Sequence, residues 1–75
     1  MPFVQVKVIE GALSDAQRGE MVKSVTEAVV AVYGEAVRPV TWVVIEDVKS
    51  GEWGIGGKLL TVADVRELMG AKAPA

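Results

Sequence analysis

Two β-forming runs separated by one long helical segment constrain this chain more than any other feature. From Phe3 to Glu10 the residues alternate, with Val4, Val6 and Val8 on one side and Phe3, Gln5, Lys7 and Ile9 on the other. That pattern is a strand with one fully apolar face. The second run, Val40 to Val48, is rich in branched and aromatic residues and is introduced by Pro39. Between them lie roughly 30 residues, the length of a right-handed crossover that joins parallel strands.

The crossover reads as a helix. Gly11 ends the first strand, and Ser14 followed by Gln17 is a capping box that opens a helix running to about Tyr33. Met21, Val22, Val25, Ala28, Val29 and Val32 recur at helical spacing and form its apolar stripe, and Gly34 stops it. After Lys49, the glycine-rich run Ser50 to Gly57 predicts a turn or short hairpin, and Thr61 to Met69 a short helix with Asp64 near its start. The fold class is therefore α+β: a single β-α-β unit with parallel strands, then a hairpin and a short helix. Residues 1–75 form a single domain, with a frayed tail expected over 70–75.

Such a unit cannot enclose a core. Chains below roughly 80 residues need a disulfide, a metal or partner subunits to be comfortably stable. This one has 75 residues with no Cys and no His, so self-association is the remaining route. Two units pairing would give a four-stranded sheet with helices on one face, the other face free to be buried in a larger ring.

The same absences restrict chemistry. Serine triads, thiolate nucleophiles and zinc sites are excluded. A net charge of −2 with no basic run argues against nucleic acid. The longest apolar stretch, Ala28 to Tyr33, is far short of the roughly 20 residues of a membrane span. The alternating N-terminus does not read as a secretory signal, so a cytoplasmic location is expected.

A base for neutral pH must then come from carboxylates, Lys, Tyr33 or the chain terminus. Initiator methionine is ordinarily removed before a residue as small as Pro2, which leaves a secondary amine at the start of a strand. An α-amino group begins near pKa ~8, and desolvation or a nearby cation moves it toward neutrality. Such an amine is a candidate general base. The plainer alternative is that Pro2 merely occupies the first position of an edge strand, where its missing N–H is harmless.

The run Pro2-Phe3-Val4-Gln5-Val6-Lys7-Val8-Ile9-Glu10-Gly11, the capped helix, and the block Trp53-Gly54-Ile55-Gly56-Gly57 together resemble the 4-oxalocrotonate tautomerase family up to about Leu60. The resemblance implies a cofactor-independent isomerase in which the terminal Pro2 is the general base of keto-enol tautomerisation. It implies homo-oligomers, dimers and commonly hexamers, acting on small-molecule carboxylates. Trp53 matches the family's aromatic residue at the site, and Ile9 a position whose backbone contributes to the pocket.

The chain also departs from that pattern. The first substrate-binding arginine of the family follows the Glu-Gly pair, where this chain has Ala12, and the second falls at Trp42. Arg38 is close in sequence to the second place, and Lys7, Arg18 and Lys49 are further cations that an oligomer could bring in. A monocarboxylate, an aromatic 2-oxo acid or an aldehyde-like electrophile is thus at least as plausible a substrate as a dicarboxylate. Trp42 also reads as ordinary sheet-face packing. Glu52, just before Trp53, is placed to activate water if the chemistry is hydration or dehalogenation of an unsaturated acid; otherwise it is a solvated turn residue. A third reading is a non-catalytic oligomeric module of the same fold. Glu46 and Asp47 point to opposite faces of a strand and make a poor carboxylate pair, and Gly54-x-Gly56-Gly57 lacks the context of a phosphate loop.

Overall fold

Alternation along the first run becomes strand β1 (Phe3–Ile9), in a computed structural model that describes residues 1–69. The tail expected over 70–75 lies outside the described residues. Helix α1 (Asp15–Tyr33) follows, then a 3₁₀ segment (Glu35–Val40) and strand β2 (Trp42–Val48). Strands β3 (Trp53–Ile55) and β4 (Lys58–Leu60) make a hairpin, and helix α2 (Val62–Leu68) ends the described chain.

The crossover length has the consequence expected of it: β1 and β2 pair in parallel, from Phe3 opposite Trp42 to Ile9 opposite Val48. The ladder continues past both ends, with the Trp42 amide donating to the Pro2 carbonyl at 2.9 Å and the Glu10 amide to the Val48 carbonyl at 2.7 Å. Val4, Val6, Val8, Val43 and Ile45 are half-buried on the face that α1 covers. Phe3, Gln5, Lys7, Trp42, Val44 and Glu46 are exposed on the opposite face.

Ser14 caps α1 as its sequence predicts. Its hydroxyl accepts from the Gln17 amide at 3.2 Å, and the Gln17 side chain accepts from the Ser14 amide at 2.9 Å. At the other end Gly34 adopts φ 103, a left-handed value that favours glycine, and its N–H reaches the Val30 carbonyl at 2.7 Å.

Two expectations shift. The second strand starts at Trp42, two residues later than expected, because Val40 and Pro39 belong to the 3₁₀ segment. Proline's fixed φ suits that geometry, and the Thr41 hydroxyl closes the segment by donating to the Val37 carbonyl at 2.8 Å. The buried stripe of α1 also differs. Val30 is buried, whereas Ala28 is exposed and Val32 is 84% exposed. Every residue from Ala28 to Tyr33 is apolar, so periodicity alone could not choose a face there. Two strands spaced about 5 Å apart cover only one side of a stripe that wide.

Adjacent acids on β2 serve opposite faces. Glu46 pairs with Lys7 across the open face at 2.7 Å, while Asp47 pairs with Arg18 of α1 at 2.7 Å on the covered one. The hydrogen bond to Asp47 raises the Arg18 pKa further above its ordinary value.

Hairpin and C-terminal helix depend on local chemistry. Gly56 and Gly57 both take positive φ (58 and 84), the requirement of the tight turn that matches strand twist. Thr61 and Asp64 form a second capping box, and the Val62 amide donates to the Ser50 hydroxyl at 3.0 Å, fastening α2 to the loop before the hairpin. Hydrogen bonds from Thr61, the backbone one foremost, hold the Asp64 carboxyl below its ordinary pKa. Among the described residues only Ile9, Ala12 and Val30 are buried apolar side chains, and no side chain is fully enclosed. No helix among the described residues is long and apolar enough to cross a membrane.

Candidate active site

Parallel pairing decides which candidate residues meet. Pro2 sits at the start of β1, half-buried, its carbonyl fixed by the Trp42 amide. Register then sets Phe3 beside Trp42 on the open face, 60% and 56% exposed, so an aromatic pair flanks the end of β1 that carries Pro2. Pro2 and Trp42 are thus brought together in one chain.

Trp53 and Ile9 belong to the other end. Seven residue steps along the strand lead from Pro2 to Ile9, about 23 Å of extended chain. Ile9 is 5% exposed and lines a groove of about 280 Å³ with Trp53, Ala12, Leu60, Val65 and Leu68. Glu52 is exposed in the loop beside Trp53, its amide donating to the Lys49 carbonyl at 3.0 Å. A single chain therefore keeps Trp53, Ile9 and Glu52 a strand's length from Pro2.

Arg38 stands in the 3₁₀ segment ahead of Trp42, and its guanidinium is held by two carboxylates. It donates to Glu35 through Nε at 2.8 Å and Nη2 at 3.1 Å, and to Glu27 of α1 through Nη2 at 3.0 Å and through Nη1. These hydrogen bonds draw both carboxyls below the ordinary value of 4.5 and raise Arg38 further above its own. In this arrangement Arg38 joins the second half of α1 to the 3₁₀ segment.

Sequence reading passed over Arg66. On α2 it lies one turn beyond Val62, and its Nη2 donates to the Gly11 carbonyl at 3.0 Å. Gly11 has φ 86, and a Cβ there would meet Val62 Cγ2 at 3.4 Å and Arg66 Nη2 at 3.9 Å, so α2 packs closely over this bend. The available signal was helical spacing: Val62 and Arg66 share one side of an amphipathic turn.

Comparison with known proteins identifies the family. The Tautomerase family, described as "Tautomerase enzyme", matches residues 2–63. "Probable tautomerase K2" of Dickeya dadantii (strain 3937) is 34% identical over 62 residues, covering 81% of this chain and 90% of that protein. "2-hydroxymuconate tautomerase" of Bacillus subtilis (strain 168) is 36% identical over 61 residues, covering 81% and 95%. Among solved structures, one from a study of the 4-oxalocrotonate tautomerase isozymes of Methylibium petroleiphilum superposes with TM-score 0.70 at 31% identity, covering 85% of this chain and 97% of that one.

Proposed function

The chain belongs to the tautomerase family, and from that premise we propose that it is a cofactor-independent isomerase interconverting the enol and keto forms of a 2-hydroxydienoate or 2-oxo acid, with Pro2 as the base. The observation that carries this reading is the family match, which runs from residue 2 through the Trp53-Gly54-Ile55-Gly56-Gly57 hairpin. The relative named for 2-hydroxymuconate motivates a conjugated 2-hydroxy acid as the substrate type.

In the proposed reaction, Met1 is removed and the free Pro2 nitrogen takes the proton of the 2-hydroxyl. The O–H bond breaks as an N–H bond forms. The electron pair left on oxygen becomes the carbonyl, the double bond shifts, and the protonated amine returns its proton to carbon of the conjugated system. A base of this kind contributes about 10²–10⁴-fold. With Met1 attached, the same nitrogen is a tertiary amide and has no useful basicity.

Trp53 and Ile9 enter such a site from a second copy, since the length of β1 keeps them away from Pro2 of their own chain. Incomplete burial supports the assembly: Phe3, Trp42, Ile55, Leu59 and Val32 are all exposed in the single chain. A homo-oligomer, dimeric or hexameric, covers them. Trp42 walls the Pro2 end, and Arg38 acts there through the segment that carries Trp42. A cytoplasmic location accompanies this reading.

Intact-mass measurement together with ultraviolet assays of phenylpyruvate enol and 2-hydroxymuconate tests the proposal. The expected result is a chain lacking Met1 that ketonises an enol, and a Pro2→Ala variant slowed about 10²-fold or more in kcat/KM. Equal rates for variant and parent refute the base assignment. No turnover of either enol, with halide released from 3-halo-acrylates by the parent but not by Glu52→Gln, replaces it with water addition assisted by Glu52.

A further inference from the structure

Helix α2 reaches over the far end of β1 and adds walls to the groove there. One side of the helix is fastened down: Arg66 donates to the Gly11 carbonyl at 3.0 Å, and Val62 lies against the same bend, where a Cβ on Gly11 would meet its Cγ2 at 3.4 Å. Val65 and Leu68, three residues apart, fall on the adjoining side of the helix and line the groove with Ala12, Ile9 and Trp53. Ala12 is 8% exposed, so a buried methyl and two branched side chains meet at this end of the cleft.

The groove offers a ligand no free charge. Among the described residues, Lys7 is the one charged side chain that borders it, and its ammonium is held by Glu46 at 2.7 Å. A carboxylate pressed against these walls would lose water without gaining a cation, whereas an apolar group gains by leaving water. The volume of about 280 Å³ suits one ring with a short substituent. Trp53 and Ile9, which the resemblance assigns to the reaction site, line the same cleft, so the occupant that fits is the apolar part of a substrate.

We propose that Val65 and Leu68 are specificity-determining residues: with Ala12 they form an apolar subsite that takes an uncharged, ring-sized group of the substrate and disfavours a second carboxylate there. That the bound group belongs to a substrate rests on the tautomerase reading above, in which Trp53 of this groove faces Pro2 of a second copy. The preference for an uncharged ring follows from the walls alone. A 2-oxo acid bound in this way keeps its one carboxylate outside the groove and its apolar side chain within it. Both residues lie beyond residues 2–63 matched by the family, so this selectivity comes from the chain's own C-terminal helix.

Compounds that differ only at the far end of a ring test it. The enols of phenylpyruvate and 4-carboxyphenylpyruvate share their reacting atoms, and kcat/KM should favour the first by about ten- to a hundredfold, the range for a charged group left without a partner. Leu68→Lys, at a position 76% exposed and so without cost to packing, should narrow or reverse that ratio. Val65→Phe, which fills the cleft, should raise KM for phenylpyruvate enol and leave that for the smaller enol of 2-oxobutanoate nearly unchanged. A merely structural role for α2 would lower activity on all enols alike. Equal rates on the two ring enols, a ratio unmoved by Leu68→Lys, or a Val65→Phe effect independent of substrate size would each overturn the proposal. Binding is read separately in a Trp42→Phe background, where Trp53 is the remaining tryptophan, by fluorescence quenching with 3-phenylpropionate and with its 4-carboxy derivative. Saturable quenching should be tighter for the first by the same factor; equal affinity, or no saturable quenching because a second copy fills the groove, would also overturn it. No turnover of any enol, or Pro2→Ala as fast as the parent, would sink the tautomerase reading and leave the binding ratio to judge the groove.

Discussion

Trp42 donates its backbone amide to the carbonyl of Pro2 at 2.9 Å, while the second tryptophan, Trp53, packs by Ile9 at the far end of the same strand. The strand between is about 23 Å long. A site using both Pro2 and Trp53 must therefore draw them from different copies. Co-assembling Pro2→Ala chains with Trp53→Ala chains, each nearly inactive alone, should recover about a quarter of parental activity in a random mixture, because one site in four then holds both intact residues. Activity of the mixture no greater than the sum of the two variants would place both residues in one chain.

Removing the Arg38 guanidinium should loosen the junction between α1 and the 3₁₀ segment. Arg38→Gln should lower Tm by calorimetry, with Glu27 and Glu35 left as neighbouring uncompensated acids. Both carboxyls have folded pKa values below the ordinary 4.5, so their contribution is present above 4.5 and lost as pH falls through the lower folded values. The Tm gap between parent and variant should accordingly be full near neutrality and narrow as pH falls below 4.5; a gap that is flat with pH argues against the clamp.

Core truncation should be costly because so little core exists. Ile9→Ala, at a position 5% exposed, should destabilise by about 2–4 kcal/mol in urea titration. Val32→Ala, at 84% exposure, should be nearly silent in a dissociated chain and gain an effect only where subunits assemble.

Backbone conformation at the hairpin gives a fourth expectation. Gly57→Ala meets no neighbouring atom, so its cost is that of φ 84 alone, about 1–2 kcal/mol. Asn tolerates such angles, and Gly56→Asn at φ 58 should be better accepted than Gly57→Ala. In a Trp42→Phe background, Trp53 emission, which then reports hairpin integrity alone, should shift for the alanine variant and not for the asparagine one.

Much of this architecture was legible because its signals are local. Alternation in β1, the Ser14–Gln17 box, the stop at Gly34 and the paired glycines of the hairpin each lie within a few residues of what they determine. The 3₁₀ segment was hidden because Pro39 beside branched residues is compatible with either a strand entrance or a tight turn. The face of α1 after Ala28 was hidden because the sequence there is apolar all round. Long-range contacts could not be matched to their partners: Arg38 finds Glu27 from 11 residues away, and the helical spacing that sets Arg66 beside Val62 does not point to Gly11, 55 residues off. For the site, Pro2, Trp42 and Trp53 could be named from sequence, yet their division between the two ends of β1 follows only from the parallel register.

Neighbouring acids on β2 have one more consequence. Lys7 holds Glu46 on one face of the sheet and Arg18 holds Asp47 on the other. Sliding β2 by a single position would turn each acid to the wrong side and break both attachments together, along with the burial of Val43 and Ile45. In so short a ladder, with little core to correct a mistake, these two contacts add to the bias toward the register in which both acids are paired.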